Sequence, residues 1–183
     1  MMDSVTRYAM AVREVGLAAG EPPTLRGYPP SLFASLPRLV ERLGSDGHGT
    51  ITGMFTVLVD GDDMNEPVAE ALRGYLDGHI VLSRRIAERG RFPAVDVLAS
   101  ISRLMPKVTD QDHQRRARRL RELLAHYEEN RDLVSVGAYR HGADPLLDQA
   151  IAKIGAIEQL LHHGRDPRPL ADTRARLQQV AGA

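Results

Sequence analysis

The apolar pattern changes character at about Val108, and this change constrains the fold more than any other feature of the chain. Before it, short apolar runs alternate with helical stripes; after it, only helical stripes remain. In the first stretch Val5, Tyr8, Ala9, Val12 and Val15 share one helical stripe, which Gly20-Glu21-Pro22-Pro23 ends. Ser31 is placed to cap a second helix, with Leu32, Leu36, Leu39, Val40 and Leu43 on its apolar side. Residues 50–59 are rich in β-branched and apolar types and predict a buried strand. Residues 66–75 read as a short helix, 79–82 as a second buried strand and 83–89 as a basic helix. Such alternation predicts an α/β layer.

Beyond Val108, Thr109 with Asp112 reads as a capping box, and Leu120, Leu123, Leu124 and Tyr127 mark a helix face. Asp144-Pro145 is a cap followed by a proline at the first helical position. Leu147, Ala150, Ile151, Ile154 and Leu161 give the next face. Asp166-Pro167 repeats the cap-proline signal, and Leu170, Arg174, Leu177 and Val180 trace a last short helix. This half predicts a small helical bundle, so the expected division is 1–107 and 108–183.

Lys+Arg and Asp+Glu balance at 24 each, so net charge demands neither a nucleic-acid nor a membrane partner. The chain has no cysteine, which excludes disulfides, thiolate zinc sites and cysteine catalysis. No apolar run approaches the roughly 18–20 residues of a membrane span. Asp3, Arg7 and Arg13 break any signal-peptide core, and a cytoplasmic protein is the simplest reading.

Several motifs fail on their own chemistry. Residues 44–50 are glycine-rich, but a phosphate loop runs from strand to helix, and here a helix leads into a strand. Neither lysine follows glycine: Pro106 precedes Lys107 and Ala152 precedes Lys153. Residues 60–71 lack the glycine and glutamate of a calcium loop, having Asn65 and Ala71 at those positions. The histidines show no metal-binding spacing, since His162 and His163 are adjacent and share no helix face. Arg115, Arg116, Arg118, Arg119 and Arg121 read as a solvated helix face. The alternative is a contact for acidic partner helices or nucleic acid, although no aromatic residue interleaves for base stacking.

The segments nonetheless assemble in order. Asp3-Ser4-Val5-Thr6-Arg7-Tyr8-Ala9 resembles the Walker B segment and following helix of the rotary-type protein-export ATPases, relatives of the catalytic subunit of F-type ATP synthase. Gly20-Glu21-Pro22-Pro23, Gly27-Tyr28-Pro29-Pro30-Ser31, residues 77–84, Phe92-Pro93-Ala94-Val95-Asp96 and Ser100-Ile101-Ser102-Arg103 fit the same family collinearly. Residues 130–139 resemble its flagellar branch more than its injectisome branch.

The resemblance implies an α/β fold: an incomplete RecA-like P-loop NTPase core followed by a C-terminal α-helical bundle domain. It implies ATP and Mg2+ as cofactors, with Asp3 orienting the metal and its water shell. Arg103 would be the arginine finger, Arg7 would lie near the phosphates, and Phe92 would stand against the adenine. Tyr139, Arg140 and His141 would contact a coiled-coil stalk protein. The implied assembly is a cytoplasmic homo-hexamer, peripheral to the inner-membrane export gate, that meets an export regulator and substrate–chaperone complexes but no nucleic acid. In this family the P-loop and a catalytic glutamate precede the Walker B strand. The expectation is therefore the C-terminal part of a longer subunit, inactive alone. Two other readings stay open: a non-catalytic module that binds a stalk or regulator, and a piece of an ATP synthase subunit, against which residues 130–139 argue.

Overall fold

A computed structural model describes residues 1–164 and 168–182, which form two compact units, Met1–Asp77 and Gly78–Ala183. The Asp166-Pro167 signal lies outside the described residues.

In the first unit, α1 (Val5–Ala18) is capped by Ser4, whose hydroxyl accepts from Arg7 N. Val5 and Ala9 are buried as the stripe predicts, but Val15 is 70% exposed, because the last turn of the helix turns Gly16, packed close to Pro29, inward in its place. The second helix, α2 (Pro30–Val40), begins one residue before the expected cap. Pro30 occupies its first turn, where a missing N–H costs nothing; no side chain caps the helix, and the Ser31 N–H donates to the Glu21 carboxylate at 3.1 Å. Leu32 and Leu36 are fully buried with Val5, Ala9, Tyr28, Val68 and Leu72. Each such leucine contributes about 1.5–3 kcal/mol by leaving water. Pro67–Tyr75 forms α3, whose N-terminal amides of Val68 and Ala69 donate to the buried Glu66 carboxylate at 2.9 and 3.0 Å.

The strand expected over 50–59 is not continuous. Gly44–Ser45 (β1) and Thr50–Ile51 (β2) form a two-residue antiparallel ladder, and Phe55 makes a single parallel bridge to Met2. The residue alternation is nevertheless strand-like. Phe55 and Val57 pack on the core while Met54 and Leu58 are 61% and 62% exposed. One short neighbour on one edge gives too few ladder bonds for a longer strand.

In the second unit, β3 (Gly78–Leu82) is followed by α4 (Arg84–Glu88) and pairs antiparallel with β4 (Val95–Ser102), a strand the apolar pattern did not announce. Contrary to the buried strand expected at 79–82, Ile80 and Leu82, two apart and so on one face, are each 68% exposed and belong to neither hydrophobic core. The pairs His79↔Ile101 and Val81↔Asp96 leave Ile80 opposite the whole stretch 97–100, a wide bulge. Asp96 closes it, its carboxylate accepting from Leu98 N and Ala99 N at 3.0 Å each. The Ser100 hydroxyl donates to Asp96 O and accepts from Val81 N. Gly78 meets Ser102 across the ladder so closely that a Cβ would lie 2.4 Å from the Ile101 carbonyl oxygen.

The helices follow: α5 (Met105–Val108), α6 (Gln111–Glu129), α7 (Arg131–Ser135), α8 (Pro145–Leu161) and α9 (Leu170–Ala181). The expected Thr109 capping box is replaced by an Asp110 cap that accepts from His113 N, because the Thr109 hydroxyl turns back to the Met105 carbonyl and closes α5. Asp144 caps α8 and Pro145 starts it, as the sequence predicts. Leu120, Leu123, Leu124, Ala150, Ile157, Leu160, Leu177 and Ala181 make the core, with Val97 and Leu98 of the bulge packed against it. Leu170, expected on the inner face of the last helix, is 65% exposed at its first turn.

Candidate functional site

Asp3 follows directly on Met2, whose amide donates to Met54 O at 2.9 Å and whose carbonyl accepts from Thr56 N at 3.0 Å. The chain then turns into α1 through a cis Asp3–Ser4 peptide and the buried Ser4 cap. This strand-to-helix turn leaves the Asp3 carboxylate exposed, with Oδ1 accepting from the Thr56 hydroxyl at 2.5 Å. Thr6 pins the same edge: its hydroxyl accepts from Leu58 N at 2.8 Å. Arg7 stands exposed in the first turn of α1. Thr56, a partner of the candidate residue Asp3, was not singled out in the sequence, where its signal is a hydroxyl inside an apolar run.

Phe92 and Arg103 flank β4 in the second unit. Phe92 is 53% exposed on the turn after α4, precedes a cis proline, and its carbonyl accepts from His163 N at 2.8 Å. Its neighbour Arg91 borders a cavity of about 950 Å3 that Asp96, Leu124, Glu128, His162 and Arg168 also line. Arg103 is exposed one residue past the end of β4, where the Ser102 hydroxyl accepts from Met105 N at 3.2 Å and starts α5.

The loop 138–144 joins α7 to α8. Gly137 (φ 71°) and Gly142 (φ 89°) supply its left-handed turns. Tyr139 is half-buried and faces inward: its hydroxyl donates to Asp148 Oδ1 at 2.7 Å and accepts from Asp144 N at 3.2 Å. Asp148 also accepts from Gly142 N at 2.9 Å and lies 2.8 Å from His141 Nδ1. These contacts, the Tyr139 hydrogen bond foremost, hold the Asp148 carboxyl below its ordinary range, while desolvation pushes the Tyr139 phenol up. His126 Nε2, 2.6 Å from Asp144 Oδ2, is the main cause that lowers the Asp144 carboxyl, with the Leu147 amide next. Arg140 and His141 point to solvent from this pinned loop.

In the basic run, Arg115 and Arg116 pair with Asp112, and Arg119 with Glu122 and Gln149. Arg121 departs from the expected solvated face. Its guanidinium is half-buried and donates to the carbonyls of Val97, Leu98 and Ser100. Among the described residues no group of three or more His, Asp and Glu could hold a metal by itself, and no helix is long and apolar enough to cross a membrane.

Residues 1–102 match the model of the ATP synthase alpha/beta family, nucleotide-binding domain, and residues 109–179 match that of the T3SS EscN ATPase C-terminal domain. The chain is 55% identical over 183 residues to the flagellum-specific ATP synthase of Bacillus subtilis, covering 100% of this chain and 42% of that protein. It is similar to the assembled ATPase EscN of the enteropathogenic E. coli type III secretion system, with a TM-score of 0.97 at 43% identity over all of this chain and 44% of EscN. EscN in complex with its central stalk EscO matches with a TM-score of 0.89 at 42% identity, again over all of this chain and 44% of EscN. The chain thus spans less than half the length of each of these relatives.

Proposed function

The chain belongs to the ATP synthase alpha/beta family, and from that premise we propose that it is the C-terminal part of a flagellar or type III protein-export ATPase subunit that couples ATP hydrolysis to protein export. The observation that carries this reading is the collinear match of both parts, 1–102 to the nucleotide-binding domain and 109–179 to the export-specific C-terminal domain. The same two matches support a division near residues 107 and 108.

Within the subunit, Asp3 is the metal-directed carboxylate. A lone exposed carboxylate suits Mg2+, which keeps most of its waters and takes few protein ligands besides substrate phosphates. The Thr56 hydroxyl, donating to Asp3 Oδ1, holds that carboxylate in one orientation. Bound Mg2+ would neutralise charge on the phosphates. Arg7, in the first turn of α1, lies on the phosphate side, and Phe92 offers an exposed ring to the base. Arg103 acts across a subunit interface as the arginine finger; its planar, always-charged fork suits the charge spread over a transferring phosphoryl group. The subunits form a hexamer, as befits a chain similar to the assembled EscN, and Arg140 and His141 meet a coiled-coil stalk. The ring works in the cytoplasm at the inner-membrane export apparatus, with a regulator and export substrates as its further partners.

The test is Arg103→Ala in a full-length protein carrying these residues. Turnover should fall on the order of 10³–10⁵-fold with nucleotide binding kept. Mixing this variant with a P-loop variant should restore part of the activity, because the residue works on a neighbour's nucleotide. Lost binding without rescue refutes the assignment.

A further inference from the structure

The bulge of β4 poses a hydrogen-bonding problem that one side chain solves. Residues 97–100 have no register partner on β3, so their backbone groups must be satisfied outside the ladder. The Leu98 and Ala99 donors are met locally, by the Asp96 carboxylate. Of the acceptors, Ala99 O lies 3.1 Å from the His79 ring Nε2, and the other three are met from α6: Arg121 Nη1 donates to Val97 O at 2.5 Å and Ser100 O at 3.2 Å, and Nη2 to Leu98 O at 3.0 Å. No carboxylate pairs with this guanidinium among the described residues, unlike Arg115, Arg116 and Arg119 of the same helix. A planar fork with several N–H donors can collect converging carbonyls. Val97 and Leu98 press their side chains onto the core beside Leu120, Leu123 and Leu124, so the bulge is clamped by packing and by polar contact together.

What the clamp holds is the approach to Arg103. Between Ser100 and Arg103 stand only Ile101 and Ser102, paired to His79 and Gly78. One edge of this segment is thus fixed by β3, and its start by Arg121. We propose that Arg121 is a positioning residue for Arg103, setting the strand end from which the finger reaches the neighbouring nucleotide; this rests on the finger reading above. A finger contributes only when its geometry is met, and a misplacement of about 1 Å from a remote change can cost on the order of 10² in rate.

The experiment compares Arg121→Met, Arg121→Lys, Arg119→Gln and Arg103→Ala in a full-length protein carrying these residues, with hydrogen exchange on the 183-residue chain. Arg121→Met should lower kcat on the order of 10²-fold with KM for ATP little changed. Exchange should quicken over 97–104 while the amides of Leu123 and Leu124 keep their protection. Arg121→Lys should recover the melting temperature but only part of kcat, because a point charge cannot reproduce the fork. Arg119→Gln should leave kcat unchanged. Full turnover in Arg121→Met beside an inactive Arg103→Ala overturns the proposal alone. Full turnover in Arg103→Ala overturns the finger reading and the proposal with it. Exchange that quickens through all of α6, with kcat and KM both altered, makes Arg121 a purely structural residue and also overturns the proposal.

Discussion

Gly78→Ala tests the strand geometry that carries Arg103. An added Cβ would lie 2.4 Å from the Ile101 carbonyl oxygen and 3.1 Å from Ser102 Cα, and both are backbone atoms that no rotamer change can move. Two effects oppose each other. Alanine restricts the unfolded chain and by itself stabilises by about 0.4–1 kcal/mol where the native conformation allows it. Overpacking against rigid neighbours costs about 1–3 kcal/mol. The steric cost wins, leaving a net loss of about 1–2 kcal/mol. With a urea slope of about 2 kcal/mol/M, the unfolding midpoint of the unit Gly78–Ala183 should drop by about 0.5–1 M. Gly155→Ala is the matched control in the same unit. It sits inside α8, nothing lies within 4 Å of its added Cβ, and helix propensity predicts a gain of about 0.8–1 kcal/mol. Urea unfolding followed by circular dichroism reads both. Equal midpoints for Gly78→Ala and the parent would refute the close approach, and with it the register that fixes Ser102.

The 183-residue chain alone should not turn over ATP, because it holds no Gly-Lys-Ser/Thr loop to cradle phosphates; magnesium-dependent turnover that persists on purification and vanishes in Asp3→Ala would refute this. The loop 138–144 should stay pinned at neutral pH and loosen only in acid. The Asp144 and Asp148 carboxyls are depressed in the fold, so their contribution is complete above the unfolded aspartate value of about 3.9 and is lost as pH falls through their lower folded values. The amide shift of Gly142, which donates to Asp148, should therefore titrate with a midpoint below 3.9, and one above it sinks the argument. Stalk-protein capture by a full-length protein carrying these residues should weaken in Arg140→Glu with the fold unchanged; equal capture moves the contact elsewhere.

Local signals were legible and non-local ones were not. The Asp144-Pro145 start of α8 could be read because cap and proline act within one turn. The leucines at 120, 123 and 124 could be read because a helix enforces their spacing wherever it packs. The strand at 50–59 could not be delimited, since a ladder needs a partner that composition does not name; its alternation survived in Phe55 and Val57 while its hydrogen bonds did not. The cap of α2 slipped by two residues, from Ser31 to Pro29, and that of α6 by one, from Thr109 to Asp110, because nearby groups competed for the same role: proline against serine in one, aspartate against threonine in the other.

The candidate site divides along the same line. Asp3, Arg7, Phe92 and Arg103 were read from a resemblance of motifs, and each stands at a junction where a strand or turn meets a helix. What supports them was not readable. Thr56 reaches Asp3 from 53 residues away, and Arg121 reaches the β4 carbonyls from 21 to 24 residues away. A helical projection puts Arg121 beside Leu120 and Leu124, at the border of the apolar face, where a guanidinium can turn either to water or inward. The bulge decides which. Three carbonyls stripped of strand partners lie within its reach, and leaving them unpaired against the core would cost more than ordering one side chain. The same register shift that hid β4 from the apolar pattern therefore recruits an arginine that the charge pattern assigned to solvent.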